Sequence, residues 1–161
     1  YLLKNFDKIK SKLTLLFLSF FIVYFLFIFF TITPYQYTYL NFLNGKIENR
    51  FRKFENDYWG SSMNELITNT NFKKNKTIIF ATCGVSSAIP KYYLKKEGYS
   101  NFIFLPPKQA DYIIMTNRVV SANEKNNESK KLVNCFDKFT GEDYFQVKRN
   151  GLLLSVIRKI N

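Results

Sequence analysis

Residues 77–116, TIIFATCGVSSAIPKYYLKKEGYSNFIFLPPKQADYIIMT, decide the fold. Thr77 to Cys83 is a short apolar run rich in β-branched residues, the pattern of a buried strand. Gly84 breaks it. Ser86 or Ser87 can then cap a helix that carries Pro90 in its first turn and stops at Gly98. Asn101 to Leu105 reads as a second strand, Pro106-Pro107 as a stop, and Asp111 to Thr116 as a third strand. A strand–helix–strand series at this spacing predicts a parallel, right-handed βαβ unit. The Gly84 junction lacks the further glycines of a dinucleotide loop and the GK[ST] of a phosphate loop, so it reads as an ordinary tight turn.

Working outward, residues 118–131 are polar and lysine-rich and are expected to form an exposed loop. Asp143 to Arg149 and Leu152 to Arg158 flank Asn150-Gly151, the pair favoured in a type I′ hairpin turn. A two-residue turn with regular pairing sets Arg149 opposite Leu152, Val147 opposite Leu154 and Phe145 opposite Val156. That predicts one buried stripe of Phe145, Val147, Leu154 and Val156. Upstream, Ser62 and Glu65 have capping-box spacing, and Met63, Leu66 and Ile67 share a face, so a short helix is expected near 62–70. Residues 71–76, NFKKNK, read as a polar loop.

Further upstream lies a different kind of segment. From Leu13 to Thr33 there is no charge, and 17 of 21 residues are apolar, seven of them Phe. At about 1.5 Å per residue the run spans roughly 30 Å, the thickness of a bilayer's hydrocarbon core. Thr14, Ser19, Thr31 and Thr33 can bond back to helix carbonyls. Pro34 ends the run, and Tyr35, Tyr37 and Tyr39 follow as an interfacial aromatic belt. The run exceeds a signal-peptide core of about 7–15 residues, and no small-x-small cleavage site follows. Lys4, Lys8, Lys10 and Lys12 crowd its amino side, which the positive-inside rule leaves in the cytoplasm. The remainder is then expected outside the cytoplasm, in a bacterium in the periplasm. Because the chain starts at Tyr1 rather than Met, further membrane helices are expected before it.

The expected organisation is a basic cytoplasmic flank (1–12), a transmembrane helix (13–33), an aromatic membrane-proximal connector (34–60) and an α/β domain (61–161). The fold class is α/β, a small three-layer-like extracytoplasmic domain with a βαβ unit and a C-terminal β-hairpin. Composition narrows its chemistry. The 161 residues carry 24 Lys and Arg against 12 Asp and Glu, a net charge of +12, and no His. Without His there is no Ser-His-Asp or Cys-His nucleophile and no imidazole base. Two Cys cannot close a structural zinc site, and no metal or cofactor site is expected. The positive charge is mostly Lys (19, against five Arg) and is spread along the chain alongside 17 Asn. Nucleic-acid readers cluster charge on one face with aromatics or Arg forks between, so no nucleic-acid partner is expected.

Two groups of residues retain chemical interest. Glu55 and Asp57 lie beside Tyr58 and Trp59, a mixture of carboxylates and aromatic faces suited to sugars. Two carboxylates two residues apart do not reliably straddle a scissile bond. They are therefore expected to bond amides or pair with Arg50, Arg52 or Lys53, while Trp59 packs. Cys83 and Cys135 leave two states open, a disulfide in an oxidising compartment or a buried free thiol at Cys83.

The apolar helix, then Pro34-Tyr35-Gln36-Tyr37 with Tyr39 and Asn41, then Phe54-Glu55-Asn56-Asp57-Tyr58-Trp59-Gly60, resembles the carboxyl-terminal part of multi-pass GT-C glycosyltransferases. These are the family 39-like bacterial relatives of the dolichyl-phosphate-mannose protein mannosyltransferases. Ala110 to Ile114 through Asn117-Arg118 and the ending Ser155 to Lys159 fit the same family. The resemblance implies sugar transfer from a polyprenyl-phosphate donor to an acceptor outside the cytoplasm, in the plasma (inner) membrane. It implies that the catalytic carboxylate precedes this chain, so that no catalytic residue is expected here. Partners would be membrane lipid and, through the preceding helices, the lipid-linked sugar donor. The acceptor-contact candidates are Tyr35, Gln36, Tyr37, Glu55, Asp57, Tyr58 and Trp59. Thr33 stands where family members often have His. The rival expectation is a single-pass, membrane-anchored binding or scaffold domain.

Overall fold

The structure is a computed structural model, which describes residues 2–38, 46, 55, 57, 59–73, 76–121 and 132–160. Two compact units emerge, Tyr1–Gln36 and Tyr37–Asn161. The first is built on helix α1 (Leu2–Ile32). Its stretch Lys10–Ile32 is long and apolar enough to cross a membrane, and among the described residues no other helix is. From Leu13 to Phe30 its Phe and Leu side chains are all exposed. The expected back-bonding occurs: Thr14, Ser19 and Thr33 donate to Lys10 O (2.9 Å), Leu15 O (2.9 Å) and Phe29 O (2.8 Å). The hydroxyls therefore carry little cost in an apolar surrounding. Helix α1 stops two residues before Pro34, and a 3-10 turn follows at Gln36–Thr38.

The second unit is the α/β domain. In chain order it comprises α2 (Met63–Thr68), β1 (Ile78–Cys83), α3 (Ala88–Lys96), β2 (Phe102–Phe104), β3 (Tyr112–Thr116), β4 (Val119–Ser121), β5 (Leu132–Asn134), α4 (Cys135–Lys138), β6 (Glu142–Arg149) and β7 (Leu152–Lys159). A five-stranded mixed sheet runs β2-β1-β3-β7-β6, and β4 pairs with β5 separately. β1 is parallel to β2 and to β3, so β1-α3-β2 is the βαβ unit expected. β3 is antiparallel to β7, which joins the closing hairpin to the central strands.

Strand alternation divides the core into two faces. Phe80, Ile114 and Ile157 face one way and are fully buried, as are Met63, Leu66 and Ile67 of α2 and Leu94 of α3. Ala81, Cys83, Ile113, Met115 and Val156 face the other way and cluster with Cys135 and Phe136 of α4. Helices therefore occupy both faces, which makes the domain three-layered. Cys83 and Cys135 are joined in a disulfide with Cα atoms 5.7 Å apart, 52 positions apart along the chain. The bridge ties the end of β1 to α4.

Three expectations need correction. Val119–Ser121, expected within an exposed loop, forms β4 and pairs antiparallel with β5. Its Val-Val pair is a strand signal that the surrounding lysines and asparagines obscured; residues 122–131 of that loop lie outside the described residues. The hairpin turn forms as expected, with positive φ at Asn150 and Gly151 and Arg149 opposite Leu152. A β-bulge then shifts the pairing, so Val147 faces Ser155 and Phe145 faces Ile157. Val156 accordingly leaves the predicted stripe and joins the α4 side. Finally, Ser62 occupies the cap position of α2 without capping through its side chain; its hydroxyl is engaged elsewhere.

Candidate functional site

The two sequence motifs of the connector meet at one carboxylate. Tyr37, in the 3-10 turn, donates its hydroxyl to Asp57 Oδ1 at 2.9 Å. The same oxygen accepts the Ser61 amide at 2.8 Å, while Oδ2 accepts the Ser62 amide at 3.3 Å and the Ser62 hydroxyl. Ser62 Oγ shares a further hydrogen bond with Ser155 Oγ of β7 at 2.5 Å. Asp57, Ser62 and Ser155 are all fully buried. Asp57 thus holds the turn that leads into α2: its carboxylate accepts the Ser61 and Ser62 amides just ahead of the helix, near the end where the helix dipole favours negative charge.

Local sequence explains the turn that makes this possible. Gly60 has φ +66°, and a Cβ there would meet Val85 Cγ2 at 3.0 Å and Met63 Cγ at 3.3 Å. Gly60 N bonds Asp57 O, and Met63 N bonds Gly60 O. The Asp57-to-Gly60 segment therefore needs a carboxylate at its start and a glycine at its end to lead the chain into α2. The Tyr37 ring is largely exposed, but its hydroxyl end abuts the carboxylate. Burial of that end, reinforced by the charge of Asp57, holds the phenol far above its ordinary value despite a bond with Ser61 that favours ionisation. Tyr37 is accordingly a donor at every physiological pH.

Glu55 is also committed: its Oε1 accepts the Val119 amide at 2.7 Å, tying the connector to β4. Neighbouring polar groups complete this end of the sheet. Asn134 Nδ2 donates to Asn117 Oδ1 at 2.7 Å, and Asn134 Oδ1 caps α4 through the Phe136 amide at 3.0 Å. Thr116 Oγ1 is buried and has no hydrogen-bond partner among the described residues. Gly84, at φ +80°, lies so close that a Cβ would sit 2.7 Å from that oxygen. The Gly84 turn is thus a packing necessity.

Of the seven contact candidates, Tyr37, Glu55 and Asp57 are hydrogen-bonded into the domain. Tyr35 is buried, and Gln36 donates to Thr33 Oγ1 at 2.9 Å. Tyr58 lies outside the described residues, as do Arg50, Arg52 and Lys53. Trp59, expected to pack, is 79% exposed. Sequence reasoning missed Ser62 as a partner of Asp57 and Ser155 as a partner of Ser62. Ser155, a hydroxyl inside an otherwise apolar strand, was the available signal. Among the described residues, no group of three or more His, Cys, Asp or Glu could hold a metal. No known protein family, curated protein or solved structure matches the chain.

Proposed function

We propose that this chain is the carboxyl-terminal, non-catalytic part of a membrane glycosyltransferase that moves a sugar from a polyprenyl-phosphate donor to an acceptor outside the cytoplasm. The observation that carries the reading is the Tyr37–Asp57 bond. Tyr37 ends the PYQY segment and Asp57 begins the DYWG segment, so the bond gives these two residues a reason to occur together at this spacing. Two further features support it. Lys10–Ile32 has the length and apolarity of a membrane span. The Cys83–Cys135 bridge belongs to proteins matured in an oxidising compartment, on the side opposite the lysine-rich flank.

In this reading Asp57 and Glu55 organise the domain and do no acid–base work, since both carboxylates bond backbone amides. The catalytic carboxylate is supplied by the part of the enzyme that precedes this chain. Trp59 offers an exposed aromatic face on which an acceptor sugar can stack. The test is the complete gene product in membrane vesicles, supplied with a radiolabelled polyprenyl-phosphate sugar. Label should pass to acceptor in the wild type, and Trp59→Ala should lower transfer at unchanged protein level. A complete product whose sole apolar segment is residues 13–33, with no transfer, defeats the reading and leaves the single-pass anchored binding domain. Protease added to intact spheroplasts should digest the α/β domain; protection until lysis would invert the topology and defeat it too.

A further inference from the structure

At the end of the sheet away from Asp57 lies a groove of about 650 Å³, within the size range of small-ligand sites. Phe72, Ile78, Tyr112 and Tyr144 form its apolar part, and Lys73, Lys76, Lys159 and Asp111 its charged part. Strand order brings these together: Ile78 opens β1, Tyr112 opens β3 and Lys159 closes β7, while Tyr144 lies in β6.

The aromatic side is built rather than incidental. Phe72 is buried and stacks on Tyr144 with ring centroids 5.3 Å apart and an 11° interplanar angle. Tyr112 meets both rings edge-on, at 5.3 Å and 5.4 Å. Tyr144 is fixed further by its hydroxyl, which donates to Asn71 O at 2.8 Å, yet it stays 44% exposed. A rigid aromatic face is thus held open to the groove. The polar side is unspent. Lys73, Lys76 and Lys159 are exposed and form no ion pair among the described residues. One oxygen of Asp111 accepts the Ile79 amide at 3.1 Å, and the other has no partner among the described residues. The Tyr112 hydroxyl is likewise uncommitted, and burial, with Tyr144 and Asp111 adding, raises its pKa, so it is a donor.

We propose that this groove binds an anionic saccharide, with the sugar ring against Tyr144 and its phosphate or carboxylate among Lys73, Lys76 and Lys159. Three cations against one carboxylate favour an acid group, and the compact ammonium of Lys suits phosphate as a point charge. The free Asp111 oxygen and the Tyr112 hydroxyl match the hydroxyls of a sugar, which a nucleobase lacks. The site stands on the groove alone and does not depend on the transferase reading.

The test uses the full chain in detergent, titrated with glucose 6-phosphate, methyl glucoside, inorganic phosphate and AMP, with binding followed by calorimetry. Glucose 6-phosphate should bind at least tenfold more tightly than the other three. Lys73→Gln with Lys159→Gln, both on exposed side chains, should weaken it at least tenfold, and Tyr144→Phe should leave it within twofold. Polyprenyl-phosphate glucose in nanodiscs separates a lipid-linked source from a soluble one, and saturable binding of either form supports the site. Absence of binding by both forms, inorganic phosphate or AMP binding as tightly, or no response to the double lysine change would overturn it.

Discussion

Asp57 shows how one buried carboxylate can organise the approach to a helix. Its two oxygens accept from a phenol, a hydroxyl and two amides, so the desolvation cost of burying the charge is offset by directed hydrogen bonds. Asp57→Ala leaves those donors without an acceptor in a dry site. It should destabilise the domain by about 3 kcal/mol, read as a lower urea midpoint in detergent, with Glu55→Ala costing less because that side chain is exposed. A fall below about 0.5 kcal/mol for Asp57→Ala would mean the network contributes little.

Tyr37 gives a second residue-level prediction. Its folded pKa is raised, so the native state holds the phenolic proton more tightly than the unfolded chain. Its contribution is complete below the ordinary tyrosine value of about 10 and declines as pH climbs above it. Tyr37→Phe should therefore remove absorbance change from the late phase of a 295 nm alkaline titration while sparing the early phase. Loss from the early phase instead would show an ordinary, solvated phenol.

At the scale of elements, α2 is six residues long and too short to persist by propensity alone. Its stability comes from Met63, Leu66 and Ile67, all fully buried, and from the Arg149–Glu65 ion pair with β6. Leu66→Ala should cost about 2–5 kcal/mol in denaturant unfolding, as for other cavity-forming core changes, whereas Glu65→Gln should cost under about 1 kcal/mol. The elements legible in the sequence were those with an unambiguous local signal: β1 and β3 as β-branched runs, α3 between a serine and Gly98, and the Asn150-Gly151 turn. Register was less legible. No local residue pattern announced the bulge near Leu153 and Leu154, because every residue from Leu152 to Leu154 is leucine and any pairing looks equally apolar. β4 was hidden by its polar neighbours. At the candidate site, Asp57 takes the amide-bonding alternative of the two the sequence left open, but Ser62 meets Ser155 only through a pairing 93 positions apart, which no local pattern encodes.

For the molecule as a whole, the bridge between Cys83 and Cys135 is the largest single covalent constraint. Closing a loop of 52 positions removes unfolded-state entropy worth about 4 kcal/mol in the chain-entropy treatment. Cys83→Ala with Cys135→Ala should lower unfolding free energy by about 2–4 kcal/mol, and dithiothreitol should reproduce that loss in the wild type but not in the double variant. Equal sensitivity of both proteins to the reductant would place the effect elsewhere.

That constraint has a bearing on lifetime. The net stability of a small domain is only about 5–15 kcal/mol, so a copy whose bridge is reduced forgoes a sizeable share of its margin. Such a molecule opens more often and exposes its strands to degradation. The cross-link therefore makes the domain's durability depend on the redox state of its surroundings.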